Sequence, residues 1–367
     1  MPSKISNSNV RGGTVLKYVT INETDIKQAI ERLVTRTFQM DMTWDWPAGV
    51  AFYGVGQAYL ATGESKYLDQ LQAWIDEQLE EGIPRLTVNA VSIGHTLLTL
   101  YDQTKSERYL DIAVQMAEFL RTDAVRFADG VFQHTVSQNY DFPQQAWVDT
   151  MFMAGYFLIR IGTLLERNEW LEDGLLQYHA HERFLQDRET NLYVHGWDHI
   201  AQNNMSAVYW ARGNSWAAYT MSEALHIVEV THPSYMKMYD SLRDQLSSIV
   251  RLQSDHGLWH TVLNDPTSYE ETSGSAGLAA GLIRYNEAIG APMYNKYIQK
   301  AVPAVLSKIS NNGTVLDVSA GTAVMKDADG YKGVAHERIQ GWGQGLALVF
   351  LSSLLTYKWL KDISQTE

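Results

Sequence analysis

None of the 367 residues is a cysteine, which removes disulfides, thiolate metal sites and cysteine nucleophiles together. No uninterrupted apolar run approaches the ~20 residues of a membrane span, and the opening MPSKISNSNVRGG has no apolar signal-peptide core. A cytoplasmic protein with no membrane partner is expected. Positive charge is also scarce: 29 Lys and Arg against 42 Asp and Glu give a net charge of −13, which disfavours nucleic acid and anionic surfaces. An anionic substrate would need a local cation in that field. Pro, Gly and Ser never cluster into a tether, and strand-like alternation is confined to short stretches at 130–136, 191–195, 258–262 and 314–318.

What is present is apolar and aromatic. Hydrophobic residues make up 45% of the chain and charged ones 19%, enough for a sizeable core, and 11 Trp and 20 Tyr can fill that core or stack on sugars. Residues 49–79 are answered by 92–120, with Tyr59, Thr62 and Tyr67-Leu68 matched 42 positions later by Tyr101, Thr104 and Tyr109-Leu110. The unit is a helix opened by small residues, a polar turn, and a second helix opened by an aromatic-apolar pair. It recurs at Trp170-Leu171, Tyr235-Met236, Tyr294 and Trp359-Leu360, giving six units. Six helix pairs with their long loops at one end suit a closed ring. The expected fold is therefore all-α, a single (α/α)6 barrel of six inner and six outer helices over 21–362, with 1–20 as an N-terminal extension.

In such a ring the segments before the inner helices surround one mouth. They are rich in Trp, His, Asp and Arg: TWDWPAGV (43–50), TVNAVSIGH (87–95), FQHTVSQNYDFPQQAWVDTMFMAG (132–155), LYVHGWDHI (192–200) with MSAVYWARGNSW (205–216), TSYEETSGSAG (267–277) and HERIQGWGQG (336–345). Asp149 stands out as one carboxylate between Trp147 and the apolar run Met151, Phe152, Met153. It reads equally as a helix N-cap or as a proton-handling acid whose pKa the apolar neighbours would raise.

Other chemistries fit poorly. HGWDH lacks the glutamate of a zinc-binding HExxH helix, GWGQG has no Lys or Ser/Thr of a phosphate loop, NDPTSYEET lacks EF-hand spacing, and no serine sits in a nucleophile elbow. No metal or cofactor is expected. A second catalytic carboxylate, as an ordinary glycosidase requires, could come from Asp45, Asp141, Asp198, Glu270 or Glu271, each of which also suits a turn or cap.

The set WDWPAGV, QAWVDTMFMAG, HGWDH, WARGNSW, EETSGSAG and GWGQG, in that order over roughly 40–350, resembles the unsaturated rhamnogalacturonyl hydrolases of glycoside hydrolase family 105, relatives of the unsaturated glucuronyl hydrolases. The resemblance implies an (α/α)6 barrel that removes a 4,5-unsaturated uronic acid from lyase-generated oligosaccharides. One aspartate protonates C4 of the enol ether and assists water addition at C5. It places Asp149 as that acid and base, with Trp210, Arg212 and Trp216 as substrate contacts and His195 supporting the unsaturated ring. Arg212 would clamp the uronate carboxylate, with a structural ion pair as its alternative. His134, Trp147 and Met153 are expected beside the acid as further substrate contacts, and Trp44 and Trp46 either wall the pocket or staple the first inner helix. Members often carry an aspartate ahead of the second inner helix, where this chain has Val88-Asn89-Ala90. Asn89 can bond a sugar hydroxyl or Asp149 but brings no second charge.

The leading expectation is hydrolysis of unsaturated galacturonyl-rhamnose units by a monomer or homodimer. Alternatives are an unsaturated glucuronyl hydrolase acting on glycosaminoglycan or ulvan-type fragments, another enzyme such as a lyase on the same ring, and a non-catalytic sugar-binding protein.

Overall fold

A computed structural model describes residues 22–136 and 140–360. The N-terminal extension expected over 1–20 and the end of the expected domain at 361–362 lie outside the described residues. Helices dominate, in the order α1 (Glu23–Thr37), α2 (Trp46–Thr62), α3 (Ser65–Glu81), α4 (Gly94–Thr104), α5 (Glu107–Thr122), α6 (Phe157–Leu164), α7 (Asn168–Leu185), α8 (Ala211–Ala224), α9 (Pro233–Ile249), α10 (Thr272–Ile289), α11 (Asn295–Ser307), α12 (Ala328–Lys332) and α13 (Gly341–Thr356).

The inner ring is α2, α4, α6, α8, α10 and α13. Inner helices such as α2 and α13 are apolar around nearly their whole circumference, as burial on all sides demands, whereas α3 and α5 bury one stripe only. The aromatic residues read from the repeat are the buried anchors of outer helices: Tyr67 in α3, Tyr109 in α5, Trp170 in α7 and Tyr235 in α9.

The ring closes where α13 meets α2. A Cβ on Gly54 would collide with the Gly345 carbonyl, and one on Gly345 with the Val50 carbonyl, so these glycines permit backbone contact between the first and last inner helices. The sixth unit departs from the repeat. α1 packs on α13, so an outer helix from the start of the chain, before the first inner helix, covers the last inner one; the residues after Trp359-Leu360 lie outside the described residues.

The short strands lie in the loops over the mouth. Thr135–Val136 pairs with Tyr140–Asp141, and Gln145–Trp147 pairs antiparallel with Gly196–Asp198, Trp147 opposite Gly196. The extended stretches read at 258–262 and 314–318 contribute isolated bridges: Trp210 with Val262 and His260 with Glu270 from the first, and Ile309 with Val315 from the second. None of the helices among the described residues is long and apolar enough to cross a membrane.

Candidate active site

The strand pair at the mouth brings the principal polar groups together. Because Trp147 faces Gly196, the next residue of each strand falls into place: the Val148 N–H donates to the His195 carbonyl at 3.0 Å. One residue further, the Asp149 carboxylate lies 3.3 Å from His195 Nε2, with the imidazole fully buried and the carboxylate 13% exposed. Asp149 is not a side-chain cap. Thr150 holds the N-cap position of a π-helical turn over Met151–Tyr156, and the Asp149 main-chain carbonyl accepts from Phe152 and Met153 while its carboxylate is free to face the cavity. Wide turns of this kind recur at functional sites.

That cavity, of about 140 Å3, is lined by Trp46, Asn89, His134, Val136, Phe142, Trp147, Asp149, Trp210, Arg212 and the backbone turn Gly321, Thr322 and Ala323. Two aromatic walls bound it. Trp46 stacks on Trp342 at 4.4 Å on one side, and Trp147 lies between His134 at 4.2 Å and Phe142 at 4.3 Å on the other. Asn89 is buried and its side-chain carbonyl oxygen has no partner, so it is an unspent acceptor on the wall. A larger groove of about 660 Å3 between α1 and α3 lacks such a constellation; its Lys27 and Lys66 are paired with Glu23 and Glu31.

Several expected contacts are elsewhere. Trp44 is buried beneath the mouth, stacked on Trp74 at 6.3 Å. Met153 and Trp216 are wholly buried in the barrel core, Trp216 against Phe152 at 5.0 Å. These three support the site from behind and do not line it. We therefore expect Trp44→Ala to cost about 3–5 kcal/mol in urea unfolding while leaving KM unchanged. His195 also sits behind the lining, covered by Trp210 at 4.3 Å, and reaches the cavity through Asp149.

Arg212 differs from a free clamp. It is 1% exposed, pairs with the wholly buried Glu271 at 3.6 Å, and donates to the Ser319 carbonyl at 3.1 Å, to the Ala320 carbonyl at 3.0 Å and to Thr322 Oγ1 at 3.1 Å. Its fork shapes the 319–323 wall, its plane lies over Trp210 at 4.3 Å, and its charge projects into the cavity. Both alternatives read from the sequence apply in part: it is a structural ion pair whose field still reaches the site.

The pKa of Asp149 corrects the expectation from its apolar neighbours. Burial does push it up, but the His195 contact and the Arg212 charge outweigh burial and hold the carboxyl below its ordinary value. The surrounding imidazoles are neutral: burial draws His134 down to about 3 and His181 to about 4, and lowers His195 against the pull of Asp149.

The other acidic candidates are accounted for. Asp45 caps α2, accepting from the Trp46 N–H at 2.7 Å. Asp198 closes a turn onto the N–H groups of Ile200 and Ala201, and Glu270 pairs with His256 at 3.1 Å. Glu271 caps α10 and accepts from Ser273 and the Ser319 N–H. The side chain of Asp141 lies outside the described residues. Gly196–Asp198 is a strand, so His195 and His199 do not share the helical turn of a zinc motif.

A sequence model of Glycosyl Hydrolase Family 88 matches residues 18–358. The chain belongs to this family. It is 54% identical over 338 residues to the unsaturated rhamnogalacturonyl hydrolase YesR of Bacillus subtilis, covering 92% of this chain and 97% of the relative. A crystal structure of a possible family 105 member from Klebsiella pneumoniae superposes with TM-score 0.88 at 27% identity, over 96% of this chain and 99% of that one. The unsaturated glucuronyl hydrolase of Bacillus sp. GL1 shares the fold, with TM-score 0.71 at 15% identity over 90% and 96% of the two chains. This family 88 chain is thus a glycoside hydrolase on an (α/α)6 barrel, and the resemblance to family 105 read from its motifs extends to its structure.

Sequence reasoning passed over Tyr331, His181, Trp342 and the turn 321–323. Trp342 stood inside a quoted segment, and the small-residue run Ser-Ala-Gly-Thr-Ala after the 314–318 stretch was the available signal for the turn.

Proposed function

We propose that this hydrolase removes a terminal 4,5-unsaturated uronic acid, an unsaturated galacturonyl residue on rhamnose, from oligosaccharides left by polysaccharide lyases, and that 21–362 is the catalytic unit. The observation that carries the reading is that Asp149 is the sole carboxylate among the described lining residues. Retaining or inverting cleavage at the anomeric carbon needs two carboxyl groups, about 5 Å or about 6.5–9.5 Å apart. Hydration of an enol ether needs one group that gives a proton to C4 and receives one from the water attacking C5. The C5 hemiketal so formed opens to a ketone, and the hemiacetal left at C1 releases the remaining sugar as its alcohol. The name and identity of the Bacillus subtilis relative support rhamnose as the leaving sugar.

In this reading the aromatic walls hold the planar unsaturated ring, Asn89 accepts from a ring hydroxyl, and Arg212 with the 319–323 turn supplies the positive side for the uronate. Asp149 rests ionised and must gain a proton. An incoming uronate offsets Arg212 and displaces water, and both effects raise the carboxyl's pKa.

The sign of the pH dependence follows. Free enzyme holds the reactive proton only below the lowered pKa of Asp149, so kcat/KM falls about tenfold per pH unit across roughly pH 5–7. The kcat limb lies at higher pH, because it reports the raised pKa of the complex. Coincident limbs would contradict a binding-linked proton uptake. The function itself is tested by the near-ultraviolet absorbance of a lyase-generated unsaturated rhamnogalacturonan disaccharide: its loss supports the reading, and persistence with unsaturated glucuronyl disaccharides as well defeats it.

A further inference from the structure

Behind Asp149 the polar contacts continue away from the cavity. His195 Nδ1 is 2.8 Å from the Tyr331 hydroxyl, and both rings are fully buried. Tyr331 belongs to α12, a single turn fixed at one end by Asp327, which accepts from the Gly330 N–H at 3.1 Å, and at the other by the Lys332–Asp265 ion pair at 2.5 Å. Its ring packs with Val208, Trp210 and Val262, so the hydroxyl cannot swing to water.

The direction of each proton can be worked out. The Asp149 carboxylate, held below its ordinary pKa, has only lone pairs to turn toward His195 Nε2 at 3.3 Å, which favours the imidazole proton on that nitrogen. In a His195 that burial keeps neutral, Nδ1 is then the acceptor, and the Tyr331 hydroxyl at 2.8 Å donates to it. The two contacts call for the same tautomer: a hydroxyl donating to Nδ1 leaves Nε2 as the N–H that faces Asp149. The two atoms, Nε2 and the carboxylate oxygen, are in contact without the alignment of a hydrogen bond, as catalytic pairs often are before substrate binds.

We propose that Tyr331 is a positioning residue that fixes the Nε2–H tautomer of His195, so that the imidazole donates to Asp149 and orients the carboxylate toward the cavity. Other groups facing Asp149 cannot do this. His134 is stacked on Trp147 with its Nδ1 toward Thr150 at 3.3 Å, His181 donates from Nδ1 to the Gln177 carbonyl, and Arg212 is committed to Glu271 and the 319–323 turn. The inference rests on the reading of Asp149 as the reacting acid.

Tyr331→Phe keeps the packed ring and removes only the hydroxyl. Without that donor, Nδ1 and Nε2 compete for one proton and Asp149 loses part of the hydrogen bond to its charged form. Its carboxyl then titrates higher, and the kcat/KM limb moves to higher pH. Loss of one hydrogen bond to a charged group predicts a fall in kcat of about 10–100-fold. In a His195→Gln background the same substitution has no further effect on rate, because Tyr331 acts through the imidazole.

Nitrogen-15 NMR of the histidines in the substrate-free protein, with His195 assigned by loss of its signals in His195→Gln, reads the tautomer without turnover. A single Nε2–H tautomer that becomes mixed in Tyr331→Phe supports the proposal. An Nδ1–H tautomer in the wild type overturns it, as does a variant with a lowered melting temperature, an unmoved pH limb and a rate effect that persists in the His195→Gln background. If the protein turns over no unsaturated uronide, the functional reading fails while the tautomer measurement still decides the role of Tyr331.

Discussion

Asp149→Asn is expected to slow loss of the unsaturated-bond absorbance by about 10²- to 10⁴-fold, the span associated with removing a positioned proton donor. The substitution is nearly isosteric, and the carboxylate makes no helix cap that its loss would open. Folding should be preserved, by far-ultraviolet circular dichroism and by retained binding of an unsaturated disaccharide. An amide can still accept from His195 but gives no proton to C4. No other described residue on the cavity wall can substitute, since His134 is neutral with a pKa of about 3 and Asn89 has no proton to release. A variant with more than about a tenth of the wild-type rate would return Asp149 to an auxiliary role and require a different donor.

The second large effect falls on stability. Arg212→Ala leaves the wholly buried Glu271 without its cation, and breaking such a pair from one side costs about 3–5 kcal/mol. The substitution also withdraws the donors that hold the Ser319 and Ala320 carbonyls and Thr322, so one wall of the cavity loosens. Urea unfolding should show the loss as a lower midpoint, and the surviving folded enzyme should bind a uronate-terminated sugar weakly. Arg212→Lys separates the two contributions. It keeps the charge opposite Glu271 but lacks the planar fork, so it should recover part of the stability and little of the activity. Equal stability of wild type and Arg212→Ala would contradict the buried pair as drawn.

The barrel was legible because its repeat is written in packing. Small residues opening the inner helices and aromatic residues opening the outer ones are required for close helix contact and burial, and they recur with the helical unit. The source of the sixth outer helix was not legible, because α1 carries an amphipathic stripe like any outer helix and nothing local says that it packs on a helix more than 300 residues later. At the site, Asp149 and its aromatic neighbours could be found since they share one segment. Trp44 and Trp216 could not be separated from Trp46 and Trp147 by sequence, as the same indole serves core and cavity and only the ring's facing decides. The free-state pKa of Asp149 was misjudged for a related reason. Its apolar neighbours are adjacent in sequence, whereas His195 and Arg212, which outweigh them, arrive from other segments. Tyr331 was invisible on the same account, since its only tie to the acid is through the imidazole of a residue 136 positions earlier.

The central claim is that hydration of the double bond precedes release of the sugar. Proton NMR in deuterated buffer can follow the vinylic H4 signal of an unsaturated galacturonyl-rhamnose disaccharide and the anomeric signal of free rhamnose in one time course. The account predicts that H4 disappears with or ahead of rhamnose release, that a deuteron enters at C4, and that no free unsaturated uronic acid accumulates. Free rhamnose accompanied by a uronic acid that still carries its H4 signal would place cleavage at the anomeric carbon and contradict the single-carboxylate mechanism.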